Sequence, residues 1–123
     1  MQRFTELKVW QRSHALVLQV YRLTERFPGE ERFGLVSQLR RAMVSVPTNI
    51  VEGSKRQHAN DFARFLNMAE SSLAEVEYLL LVSRDLGYLA GDATEPMLAE
   101  IWEVARMLHG LRAKVEQDAR ERS

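Results

Sequence analysis

Along this chain apolar side chains return every three or four residues, the spacing that gathers them on one face of an α-helix. The last such stretch is the simplest, with Leu98, Ile101, Ala105, Leu108 and Val115 in a single stripe. In the stretch before it, Phe62, Phe65, Leu66, Ala69, Leu73, Val76 and Leu80 share a face, whereas Tyr78, Leu81 and Val82 project elsewhere. The first stretch carries two adjoining stripes, Val9, Leu16, Val20 and Phe27 beside Leu7, Trp10, Val17 and Tyr21. Together they span roughly 200°, about twice the minimal core-facing arc of ~100°. No segment alternates with period two, and no Asn-Gly or Asp-Gly hairpin turn occurs, so the pattern predicts an all-α fold.

Punctuation divides the helical signal into four. Pro28-Gly29, Gly53, Gly87 and Gly91-Asp92 place helices at about 6–27, 32–54, 60–86 and 94–119. Thr5, Asn60, and Asp92 or Thr94 stand where a side chain can accept a bond from a free first-turn N–H. Connections this short force successive helices to run antiparallel, which predicts an up-down four-helix bundle filling residues 1–123 as one domain. Pro47 lies inside the second helix, where it removes a donor and crowds the preceding turn. A kink is expected there, with Ser45, Thr48 and Asn49 satisfying backbone groups around it.

The wide apolar arcs bear on assembly. An isolated bundle would leave part of them in water, so Trp10, Val17, Tyr21, Tyr78, Leu81 and Val82 are candidates for a homo-oligomer interface. The alternative is that Trp10 and Tyr21 close the ends of the core with their polar tips wet.

Composition narrows the function. The 123 residues, 46% hydrophobic and 28% charged, suffice for one core and lie far from the disordered regime. There is no cysteine, which excludes disulfides, thiolate metal sites and thiol nucleophiles and makes the cytoplasm the expected location. The longest apolar run, Tyr78 to Val82, is far short of a membrane span, and the first ten residues hold no secretory core. Formal net charge is zero, yet residues 1–64 carry 11 basic and 6 acidic side chains and residues 65–123 carry 6 and 11. That asymmetry fits either attraction between helices of opposite sign or a basic face shown to a polyanion.

Arg40, Arg41, Lys55, Arg56 and Arg64 are the densest cations, and guanidinium forks suit phosphate oxygens. They are the candidate nucleic-acid-binding residues, on the expectation that helix ends gather them on one rim. The competing reading gives them to salt bridges with Glu52 or with carboxylates of the third helix. No Glu-x-x-His pair, phosphate-cradling glycine loop or nucleophile elbow occurs, and His14, His58 and His109 are scattered one to a segment. The expectation is therefore no catalytic residue, no metal and no cofactor.

An ordered set of residues carries a resemblance over nearly the whole chain. It runs through Leu7-Lys8-Val9-Trp10-Gln11, Tyr21, Phe27-Pro28 with Glu31, Phe33-Gly34-Leu35, Gln38 to Ala42, Ser45, Pro47, Asn49-Ile50, Glu52-Gly53 and Arg56. It continues through Phe62, Phe65-Leu66 and Ser72-Leu73 with Glu75. In these the chain resembles the bacterial family named after proteins encoded in intervening sequences of 23S ribosomal RNA genes. The resemblance implies an antiparallel four-helix bundle that assembles into a ring, typically a pentamer, with no enzymatic activity. A related branch, the accessory protein of diversity-generating retroelements, is a basic pentamer that binds nucleic acid and a reverse transcriptase. This chain departs from the pattern in two respects: Ser71 stands where glycine is common, and the chain is neutral. The expected function is a non-catalytic oligomer associated with RNA or DNA, and the alternative is a scaffold for a partner protein.

Overall fold

The computed structural model describes residues 3–122 and, among them, only helices. After a 3-10 turn at Phe4–Glu6 come α1 (Lys8–Thr24), a second 3-10 turn at Gly29–Glu31, α2 (Leu35–Ser54), α3 (Ala59–Asp85) and α4 (Gly91–Arg122). The four long helices form a bundle around one core. Each presents its periodic residues to the centre: Leu16 and Val20 from α1; Leu39, Met43, Val46 and Ile50 from α2; Leu66, Leu73, Val76 and Leu80 from α3; Ile101, Val104 and Leu108 from α4. These side chains are almost wholly removed from water, which is the main source of stability in a fold of this kind.

Contacts across the junctions step in opposite directions along neighbouring helices. Ser45 of α2 meets Ser72 of α3 at 2.9 Å, and eight residues later Gly53 lies against Phe62 and Phe65. Likewise Glu70 of α3 pairs with Arg112 of α4, and Glu77 with Trp102. One end of the bundle therefore collects the start of α1 and α3 with the end of α2 and α4, as Leu7, Ser54, His58 and Arg122 around a common cavity show. At the other end Tyr88 donates to Glu31 at 3.1 Å and packs on Phe27. Glu31 also accepts from the Leu35 N–H at 3.3 Å, tying the entry of α2 to the exit of α3.

Helix boundaries differ from the sequence expectation for local reasons. α1 stops at Thr24, ahead of Phe27-Pro28, and α2 waits until Leu35, because a 3-10 turn fills the space between. The expected caps do not form. Leu7 precedes α1 and His58 precedes α3 with no side-chain cap bond, so Thr5 lies upstream and Asn60 inside the first turn. α4 begins at Gly91, and buried Thr94 donates its hydroxyl to the Ala90 carbonyl at 2.8 Å instead of accepting from an N–H. Val104, rather than half-buried Ala105, completes the buried stripe of α4. α2 is helical straight through Pro47, whose ring is buried. Around it Thr48 donates to the Val44 carbonyl at 2.7 Å, and Asn49 to the Ser45 carbonyl at 2.8 Å and the Ser45 hydroxyl at 3.0 Å.

The second stripe of α1 is largely absorbed by its own subunit. Trp10 and Val17, with Leu81 and Val82 of α3, are half-buried and pack against the subunit's own core. A helix in a four-helix bundle touches two neighbours, so an arc wider than the minimal stripe finds cover without a second copy. Of the six candidate interface residues, Tyr21 and Tyr78 are exposed, at 41% and 64%.

Candidate nucleic-acid interface

The five candidate cations occupy two places. Arg40 and Arg41 lie in the second turn of α2, while Lys55 and Arg56 follow its last residue. With a rise of about 1.5 Å per residue, Arg41 and Lys55 stand roughly 21 Å apart along the helix axis. The expectation of a single rim is corrected accordingly, since position in α2 sends the two pairs to opposite parts of the bundle.

Arg40 is anchored to α1. Its Nε donates to the Thr24 hydroxyl at 2.9 Å, its Nη2 to the Tyr21 carbonyl at 3.2 Å, and its guanidinium lies 4.5 Å from the Tyr21 ring centroid. These bonds satisfy backbone and hydroxyl groups at the end of α1 and use two of the five guanidinium N–H donors. Arg41 is exposed and makes no hydrogen bond or ion pair among the described residues. It borders an open groove of about 680 Å³ along the outer face of α2, together with Tyr21, Phe33, Val44, Ser45 and Thr48. Phe33, 88% exposed, is the most solvent-accessible large apolar side chain of the described residues. Its place in a short polar connection is the one signal in the sequence that could have marked it as a surface group.

Lys55, Arg56 and Arg64 come together at the turn between α2 and α3. Arg56 and Arg64 both lie over Phe65, at 4.6 and 5.3 Å from its centroid, and Arg64 also approaches Asp61 at 3.7 Å. Cation–π contact holds the two guanidinium groups near one ring while their edges stay open to water. Arg56 borders a cavity of about 360 Å³ with Arg122 from the last turn of α4 and His58 from the start of α3. A smaller recess of about 260 Å³ beside it is lined by Asn60, His58 and Arg122 again. Sequence reasoning missed Arg122 and His58, because only the return of α4 to this end of the bundle places them beside Arg56.

Charge differs between the two ends of the bundle. The end holding the α2–α3 turn carries Arg3, Lys8, Lys55, Arg56, Arg64, Lys114, Arg120 and Arg122, which outnumber its acids Glu6, Glu52, Asp61, Glu116, Asp118 and Glu121. The opposite end is balanced, with Glu25, Glu30, Glu31, Asp85, Asp92 and Glu95 against Arg22, Arg26, Arg32, Arg40, Arg41 and Arg84. Between them several carboxylates are engaged in ion pairs. Arg12 of α1 holds Glu100 of α4 at 2.5 Å, and Arg112 holds Glu70 and Glu116. The Arg106 guanidinium keeps the Glu103 carboxyl below the ordinary value of 4.5. His109 approaches Glu70 at 3.7 Å, and His14 stacks on Trp10 with centroids 5.1 Å apart. No three His, Asp or Glu side chains among the described residues come close enough to hold a metal ion. No helix among them is long and apolar enough to cross a membrane.

The sequence model of a family described as 23S rRNA-intervening sequence protein matches residues 5–110. Among solved structures, a Bacteroides thetaiotaomicron protein of unknown function from the S23 ribosomal protein family superposes with a TM-score of 0.78. The two chains are 24% identical, and the alignment covers 85% of this one and 97% of the other, a likeness of fold. None of the curated proteins matches this chain.

Proposed function

Because the chain belongs to the 23S rRNA-intervening sequence protein family, we propose that it is a non-catalytic, self-associating cytoplasmic bundle that contacts nucleic acid through its positive end. The clustering of cations at the α2–α3 turn carries this reading. A polyanion meets Lys55, Arg56, Arg64 and Arg122 together at one end of a molecule whose net charge is zero. Self-association is supported by Phe33, Tyr21 and Val44, which leave apolar surface along the α2 groove, and by the ring that the family resemblance implies.

Titration with RNA and with DNA at several salt concentrations tests the contact. Affinity falls as salt rises, with a log–log slope of about 0.7–0.9 per phosphate engaged. Reversing charge at Arg56 and Arg122 abolishes binding, whereas reversal at Arg41 leaves most of it. Binding lost through Arg41 and retained without Arg56 and Arg122 would reject the assignment. Light scattering tests assembly, with a mass of several times 14.2 kDa expected and a concentrated solution of single chains as the contrary result.

The 88% exposure of Phe33 favours a second reading, in which the groove holds a partner protein and the arginines serve the fold. Phe33→Glu then releases a co-purifying protein that survives nuclease treatment.

A further inference from the structure

We infer that the cavity at the positive end receives an unpaired base of a single-stranded nucleic acid, flanked by its phosphates on Arg56 and Arg122. The inference rests on the nucleic-acid reading above and adds which form of nucleic acid the end selects. Phosphate binding alone needs only exposed cations. Here the cations surround a recess with an apolar floor of Leu7, Ala59, Phe62 and Val115, drawn from α3, α4 and the residue before α1. At about 360 Å³ the recess falls within the roughly 300–1,000 Å³ typical of small-ligand sites.

Each part of the lining has a counterpart in an unstacked nucleotide. The Phe62 ring and the exposed His58 imidazole are flat surfaces on which a base stacks. The Gln57 amide offers both a donor and an acceptor to a base edge. The Asp118 carboxylate, which makes no hydrogen bond or ion pair among the described residues, accepts from a base-edge N–H such as the N3–H of thymine. Arg56 and Arg122 lie on the cavity wall with His58, where backbone phosphates on either side of an inserted base would pass. A duplex keeps its base faces stacked and hidden, so it reaches the cations and leaves the apolar floor unused.

The test compares a short oligothymidylate with the same strand paired to oligoadenylate, at low salt. The single strand binds more tightly, and Ala59→Leu, which fills the recess without changing charge, weakens it by about 5- to 150-fold while leaving the duplex unchanged. Arg56→Gln weakens both. Ultraviolet irradiation of the unmodified complex supplies a readout that needs no variant, since an inserted thymine crosslinks to Phe62 or His58. Equal affinity for the two forms, an Ala59→Leu effect on neither, or crosslinks confined to other residues overturns the inference and leaves nucleic-acid binding standing. Failure of both forms to bind removes the parent reading as well.

Discussion

Gly53 is placed where α2 comes closest to α3, and a β-carbon there would lie 2.7 Å from the Phe65 β-carbon and 2.9 Å from Phe62 Cδ1. In a helix, alanine normally stabilises over glycine by about 0.8–1 kcal/mol. Here the sign reverses, because Phe65 Cβ is fixed to the α3 backbone and must move with it. Gly53→Ala lowers the unfolding free energy by about 1–3 kcal/mol in a denaturant melt, the range for overpacking in a close contact. Tyr88 gives a residue-level prediction in pH. Its hydrogen bond to the Glu31 carboxylate holds the phenol above its ordinary value of 10.0. The contribution is therefore whole below pH 10 and is lost as pH rises through the folded-state value. In melts at rising pH the unmodified protein weakens more steeply above 10 than Tyr88→Phe does.

At the scale of the helix, periodicity made most of the fold legible. The buried stripes of α1 and α3, and that of α4 apart from Ala105, follow directly from three- and four-residue spacing, and glycine marked the end of α3. Gly87 has φ of +83°, its N–H bonds Arg84, and the Tyr88 N–H reaches back to Ser83 at 2.9 Å, a Schellman closure. Gly87→Ala places a side chain in left-handed backbone and costs about 1–2 kcal/mol in a thermal or denaturant melt. Helix starts were less legible. Thr5, Asn60 and Thr94 are good caps by type, yet tertiary packing sets where α1, α3 and α4 begin, and Thr94 serves better as a buried donor to Ala90. The width of the apolar arc on α1 was legible, and part of it is covered by the same chain while Tyr21 stays exposed. Spacing alone cannot distinguish contact with a flanking helix from contact with another copy, and Trp10 and Val17 are partly covered by the former.

For the whole molecule, the sequence located the right kind of side chain and misplaced how they group. Arg40 and Lys55 are close in number, but a helix converts that interval to length, so one stays with α1 and the other moves to the far end. Arg122 joins Arg56 only through the return of α4, a contact no local motif records. The resulting cluster of cations at the α2–α3 turn is the property on which the functional account depends. Hydrogen–deuterium exchange with and without a short single-stranded oligonucleotide reads it most directly. Slowed exchange in residues 54–62 and 115–122, with residues 29–48 unchanged, is the predicted result; protection confined to residues 29–48 would contradict it.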